Sequence, residues 1–226
     1  MKPIIIVGNG KIAEVVLYFF ENHSERKVAA AAVDEPYRKS SAWCGLALVN
    51  FEKIEMFYPP SEYDAFVAVG YQEINQLRET LCMRAREKGY DLVSYVHPDA
   101  GVPSDCIYGD NCFLMNNVCI HPRVRLGANV FVWSGAMIGH HSIVGNNCWL
   151  TSSCNISGGV TLGDNCFLAV NSTIANDVTL GNECLLGANA LVTKCASART
   201  VYLEGATAPF RLNTSQFLKI SRFGES

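Results

Sequence analysis

From Val96 to Val192 every sixth residue is aliphatic. The series runs through Val102, Leu114, Ile120, Leu126, Val132, Ile138, Val144, Leu150, Ile156, Leu162, Leu168, Ile174, Leu180 and Leu186, and only Tyr108 breaks it. This period matches neither the 3.6 residues of an α-helix turn nor the two-residue alternation of a single strand. It predicts a chain that turns the same corner at fixed intervals, a β-solenoid. Two residues before each aliphatic lies a slot for small side chains, filled by Cys106, Cys112, Cys148, Cys154, Cys166 and Cys184, and elsewhere by Val, Ala or Ser. The slot therefore points inward, with cysteine serving as a small hydrophobe. The second corner residue is Asn at Asn111, Asn117, Asn129, Asn147, Asn165, Asn171 and Asn189, and Gly at Gly135 and Gly159. Both types tolerate positive φ, which gives the corners a mechanism. Three such units make one triangular coil of eighteen residues.

Residues 1–95 follow a different pattern. Ile4 to Val7 is a continuous apolar run ending at Gly8-Asn9-Gly10, and a helical stretch from Lys11 to about Glu21 follows. Val28 to Val33 reads as a second strand ending at Asp34, and Ala65 to Val69 as a third ending at Gly70. A helix over Gln72 to Lys88 and a short strand over Leu92 to Ser94 complete the domain. Alternating strands and helices predict a small Rossmann-like parallel sheet. Right-handed crossovers place Gly8, Asp34 and Gly70 along one carboxyl edge, where such sheets bind ligands. Gly8-Asn9-Gly10 is too short for a dinucleotide fingerprint. It reads either as a tight turn or as a phosphate contact at the following helix N-terminus. The division is thus 1–95 for a nucleotide-binding α/β domain, 96–194 for the solenoid, and 195–226 for a capping tail, with Pro209 and a short helix near Ser215 to Ile220.

The 226 residues carry a net charge of −3 with no basic block, which disfavours nucleic acid and anionic membranes as partners. The start, Met1 to Val7, does not read as a secretory signal, and no apolar run approaches the roughly 20 residues of a membrane span. A cytoplasmic location is the expectation. With no Cys-x-x-Cys pair, the ten cysteines read as reduced core thiols rather than as metal ligands or disulfides.

Chemistry must come from a site on this scaffold. Of the five histidines, His23, His97 and His121 suit surface or hinge roles. His140 and His141 occupy both corner positions after Ile138-Gly139, where packing asks for neither. Two solvated corner side chains are the plain alternative. Eighteen residues on, Gly158 and Gly159 fall directly above them on the next coil. Bare glycine there leaves room for a ligand and exposes backbone N–H groups of the kind an oxyanion needs.

Several segments together carry a family resemblance: Ile5-Ile6-Val7-Gly8, Phe66-Val67-Ala68-Val69-Gly70 with Glu73-Ile74 and Arg78, Val96-His97-Pro98, Ile138 to Gly145, and Ser157 to Gly163. The chain resembles the bacterial sugar acyltransferases of the hexapeptide-repeat superfamily, the sialic-acid O-acetyltransferase and nucleotide-sugar N-acetyltransferase group. That resemblance implies a left-handed parallel β-helix and a homotrimer with acetyl-CoA in the groove between prisms. It also implies His140 as general base, the Gly158 N–H meeting the thioester carbonyl, and a nucleotide held by the first domain at Gly8, Asn9, Gly10, Asp34 and Gly70. There are departures. The family's acidic residue after the catalytic histidine is replaced by His141, which orients His140 or touches the sugar. Trp149 and Ile12 stand where further histidines are common, and Glu204 to Pro209 replaces the usual ending. The expected activity is acetyl-CoA-dependent N-acetylation of a nucleotide-linked amino-deoxysugar for surface glycan synthesis, without a metal. The alternatives are a sialic-acid-type O-acetyltransferase, a zinc carbonic anhydrase, for which His121, His140 and His141 lack the His-x4-His spacing, and a non-catalytic scaffold.

Overall fold

The computed structural model describes residues 1–221. Ile4–Val7 (β1) is wholly buried, as an apolar run covered on both faces must be. Val28–Val33 (β2) pairs with it in parallel. Beyond β2 lie Ala42–Trp43 (β3) and Leu46–Asn50 (β4), and Asp64–Val67 (β5) flanks β1 on its other side. The sheet order is β3-β4-β2-β1-β5, with only β3 antiparallel. Helix Lys11–His23 (α1) packs with Ile4, Ile6 and Phe66 on one face. Helix Gln76–Glu87 (α2) packs with Ile5, Val7 and Val67 on the other.

Three expectations for this domain need correction. The second helix begins at Gln76 rather than Gln72, because Glu73, Ile74 and Asn75 all adopt positive φ, which no right-handed helix accommodates. Leu92 to Ser94 reduces to a single parallel bridge between Ala65 and Leu92. His97 is neither a surface nor a hinge residue. It is 5% exposed and its ring packs against Phe19, His23 and Tyr95.

From Tyr95 to Tyr202 the chain forms two-residue strands in three parallel sheets of seven, five and five, the faces of a left-handed β-helix prism. One face carries Tyr95–Val96, Phe113–Leu114, Phe131–Val132, Trp149–Leu150, Phe167–Leu168, Leu185–Leu186 and Val201–Tyr202. We call it the aromatic face. The second face runs from Cys119–Ile120 to Leu191–Val192, and the third from Ile107–Tyr108 to Thr179–Leu180. From Leu114 to Val192 the aliphatic of each pair points in and is buried, and Cys112, Cys148, Cys154, Cys166 and Cys184 sit beside them with no disulfide. Burial pushes the Cys112 and Cys154 thiols up to about 12, so they stay protonated and inert. All seven predicted corner asparagines, and His141 with φ 60, adopt the left-handed conformation.

The outward side chains of the aromatic face are the seam between the two domains. Phe131 stacks on Trp149 at 4.9 Å, Phe113 lies beneath, and Phe66 of β5 and Tyr71 pack onto them. Each large ring so covered contributes about 2–3 kcal/mol of burial. Arg78 of α2, fully buried, lies over the Phe131 and Trp149 rings and donates to Asn129, Asn147, Asn75 and the Gly70 carbonyl. Burial alone lowers its pKa to about 10. Along the adjoining edge Asn111, Asn129, Asn147 and Asn165 form a hydrogen-bonded ladder, tied at one end to Val67 of β5 and at the other to Glu79 of α2.

Segment 196–202 lies across the last coil through the Leu180–Ala196 bridge and the Val201–Tyr202 strand. From Leu203 to Ser221 nearly every side chain is exposed, including those of helix Thr214–Ser221 (α3). Among the described residues, no helix is long and apolar enough to cross a membrane.

Candidate active site

The prism edge between the second and third faces carries residues 139–142, 157–160 and 175–178 in successive coils. His140 and His141 therefore stand one coil below Gly158 and Gly159, and those two one coil below Asn176 and Asp177. The His140 ring folds up over Gly158. A Cβ at position 158 would lie 2.6 Å from its Cε1 and 2.7 Å from its Nε2, so any side chain there would displace the ring. Position 159 has φ +71, and a Cβ on it would meet the Asp177 carboxylate at 2.3 Å. The double glycine thus leaves a notch one coil deep, into which the His140 ring and the Asp177 carboxylate fold.

The two imidazoles approach through Nδ1 at 3.1 Å. One Nδ1 must carry hydrogen and the other must accept it, so the pair fixes complementary tautomers. With His140 as donor, its Nε2 is left as a free base facing the notch.

The N–H groups of the double glycine are not open, contrary to the sequence expectation. Gly158 N–H donates to Asn176 Oδ1 at 3.0 Å, and Gly159 N–H donates to the His140 carbonyl at 2.9 Å. The first bond belongs to a recurring ladder, in which a corner N–H meets the corner side chain one coil above, as from Ala128 to Asn146 and Asp164 to Asn182. Gly158 interrupts that ladder for the coil below, since it has no side chain to offer His140 N–H. Asn176 was not singled out from the sequence. Its spacing of thirty-six residues from His140 was the available signal.

In the α/β domain a cleft of about 640 Å³ opens at the carboxyl ends of β1, β2 and β5. Gly8, Asn9, Gly10, Asp34 and Gly70 all line it, with Lys11, Tyr37, Tyr71, Gln72 and Leu77. Gly8 is required: its φ is +134, and a Cβ would strike the Ala68 carbonyl at 2.6 Å. Gly10 is the N-cap of α1 and offers no side chain, so the first-turn N–H groups point into the cleft, where anions are favoured. Asp34 is less available than its position promised. Arg84 grips both its oxygens, at 2.8 and 2.7 Å, and that hydrogen-bonded guanidinium holds its carboxyl below the usual range.

The two groups do not meet within one chain. The α/β domain packs on the aromatic face, and the histidine edge is the one edge of the triangular prism that does not border that face. Among the described residues no three His, Cys, Asp or Glu side chains gather as metal ligands.

Comparison with known proteins bears on the repeats and the fold. Residues 109–140 match the family described as "Bacterial transferase hexapeptide (six repeats)", and residues 153–194 match "Hexapeptide repeat of succinyl-transferase". No curated protein sequence matches the chain. Among solved structures, PerB from Caulobacter crescentus, determined with CoA and GDP-perosamine, is 26% identical with a TM-score of 0.80, covering 89% of this chain and 93% of its own. The acetyltransferase domain of PglB from Neisseria gonorrhoeae is 19% identical with a TM-score of 0.79, over 89% and 96%. WeeI from Acinetobacter baumannii shares 15% identity and a TM-score of 0.57, over 89% and 96%. The last two speak to the fold alone. In its repeats, its two-domain fold and its likeness to PerB, the chain is similar to hexapeptide-repeat acyltransferases that modify sugars.

Proposed function

We propose that the protein transfers the acetyl group of acetyl-CoA to the amine of a nucleotide-linked amino-deoxysugar, at a site shared by neighbouring chains of a homotrimer. The observation that carries this is the His140 ring lying over bare Gly158 with His141 at its Nδ1. A PerB structure holding both CoA and GDP-perosamine supports the pairing of substrates.

The chemistry follows from the notch. The thioester carbonyl enters over Gly158, whose N–H exchanges the Asn176 oxygen for the developing oxyanion. Such a preorganised donor is worth roughly 10²–10³ in rate. His140 Nε2 removes the proton of the substrate amine, and the nitrogen attacks the carbonyl carbon. As the C–N bond completes, the C–S bond breaks and the imidazolium returns its proton to the departing CoA sulfur. An imidazole, which can both accept and donate a proton, suits both transfers. His141 takes the place of the missing carboxylate by accepting the Nδ1 hydrogen of His140 and holding its tautomer.

The nucleotide belongs in the α/β cleft, with the N-terminus of α1 toward its phosphates and Gly8, Asn9, Gly10 and Gly70 permitting close approach. Because that cleft and the histidine edge lie on opposite sides of one chain, the cleft of one protomer serves the histidine of the next, which supports the trimer. The test is thiol release from acetyl-CoA across UDP-, dTDP- and GDP-linked amino sugars, with His140→Ala alongside. Release with an amino sugar, lost in the variant, upholds the proposal. Release only with hydroxyl acceptors would move it to O-acetylation.

A further inference from the structure

We propose that Arg123 and Arg125 form an anion subsite for the sugar-proximal phosphate of the acceptor, an inference that rests on the nucleotide-sugar reading above. A depression of about 350 Å³ on the third face is lined by Asp105, Ile107, Arg123, Arg125, His141 and Ile143. Arg125 lies between Ile107 on the coil below and Ile143 on the coil above, so the depression climbs toward the histidine edge and reaches it at His141. It is a concave surface beside the histidine pair, bordered by His141.

Three observations give the depression its chemistry. First, neither guanidinium has a partner among the described residues, whereas Arg26, Arg38, Arg78, Arg84, Arg86 and Arg199 are all engaged. Second, Arg123 occupies a left-handed corner with φ 65, a conformation that seven other corners give to asparagine and that Arg199 shares. Third, the lone carboxylate in the depression, Asp105, spends Oδ2 on the Arg123 N–H at 3.0 Å. Two guanidinium groups against one partly satisfied carboxylate leave a net cationic bowl, with two exposed isoleucines for walls.

Direction then identifies the occupant. The thioester approaches through the notch above His140, so the acceptor must reach the same imidazole from below, along the third face. In a nucleotide-linked sugar the group nearest the ring with full negative charge is the phosphate on the anomeric oxygen. Paired guanidinium groups match phosphate oxygens in both charge and geometry. The N-terminus of α1 in the neighbouring cleft then takes the nucleoside-side phosphate, and the diphosphate is clamped between two chains.

The test uses the intact protein. Arg123→Asn places the residue that the corner already accepts elsewhere, and Arg125→Gln removes charge from an exposed position, so both variants keep the prism. We expect the KM for the nucleotide sugar to rise about tenfold in each and about a hundredfold in the double variant, while the KM for acetyl-CoA and the trimer mass stay as in the parent. Arg125→Lys should recover most of the loss. A raised KM for acetyl-CoA instead would assign the arginines to a CoA phosphate, and dissociation into monomers would assign them to a contact between chains. Either result, or an unchanged nucleotide-sugar KM, overturns the subsite. A parent protein that releases no thiol with any nucleotide amino sugar would instead overturn the reading beneath it.

Discussion

In the α/β domain the binding surface is made of missing atoms and main chain. Gly8 and Gly70 admit a ligand where a side chain would intrude, and α1 begins with no capping side chain. On the prism edge the surface is made of side chains placed at register positions, with His140, Gly158 and Asn176 in one column and His141, Gly159 and Asp177 in the next. The cleft depends on how a sheet ends, and the edge depends on what each coil stacks upon the one below. An edge of this kind can be rewritten one residue at a time without disturbing the core, since each corner residue contacts mainly its column. The cleft is less free, because Gly8 at its base is fixed by the approach of the Ala68 backbone.

The joint between the two regions should show the largest effect. Arg78→Leu removes the donors that it supplies to buried oxygens of Asn129, Asn147, Asn75 and Gly70; Asn129 Oδ1 still accepts from Asn111, and each buried group left unpaired costs about 1–3 kcal/mol. We expect a loss of about 4 kcal/mol in denaturant unfolding, with the α/β domain melting before the prism. A single unchanged transition would show that the aromatic seam holds the domains without it. Next comes the edge itself. His140→Ala should lower kcat by about 10²–10⁴ while leaving the melting temperature alone, so a retained kcat removes His140 as base. Gly158→Ala forces a methyl group within 2.6 Å of the His140 ring. It should cost about 10² in kcat with little change in KM for either substrate, and a change confined to KM would make the notch a binding feature only.

The smallest effect belongs to the cleft. The Arg84 guanidinium lowers the folded-state pKa of Asp34 from its ordinary value of 3.8. A depressed carboxyl contributes stability that is complete above the unfolded value and lost as pH falls through the folded one. Acid unfolding of Asp34→Asn should therefore lose part of its pH dependence below about pH 4, by no more than about 1 kcal/mol for this partly exposed pair. An identical acid limb in the variant would show that the ion pair contributes nothing to folding.

The prism was legible in the sequence almost residue by residue, because each position repeats its environment every eighteen residues and errors average out. The small inward slot, the asparagine corners and the placement of Gly158 over His140 all follow from counting. What the counting missed were relations between columns and partners. The aromatic column of Phe113, Phe131, Trp149 and Phe167 is visible at the same spacing, but nothing in it says that a second domain will cover it. Likewise Asn176 sits at the right spacing, yet its hold on Gly158 N–H depends on a rotamer. In the α/β domain the strands were readable as apolar runs, whereas the β3–β4 hairpin was too short to carry a pattern, and α2 lost its first turn to three residues in positive φ. The cleft residues were found through strand ends. The commitment of Asp34 to Arg84, fifty residues away, needed the fold.

The central claim is that cleft and histidine edge cooperate between chains, and it can be tested by mixing two inactive proteins. Gly10→Trp fills the cleft from a position where an added side chain meets open space, and His140→Ala removes the base. Co-expressed with different tags and purified as mixed trimers, the two variants place one intact cleft against one intact histidine in every ring. Thiol release should return to about a third of the parent rate per trimer. Mixed trimers as inactive as either variant alone would contradict the account and put both halves of the site within a single chain.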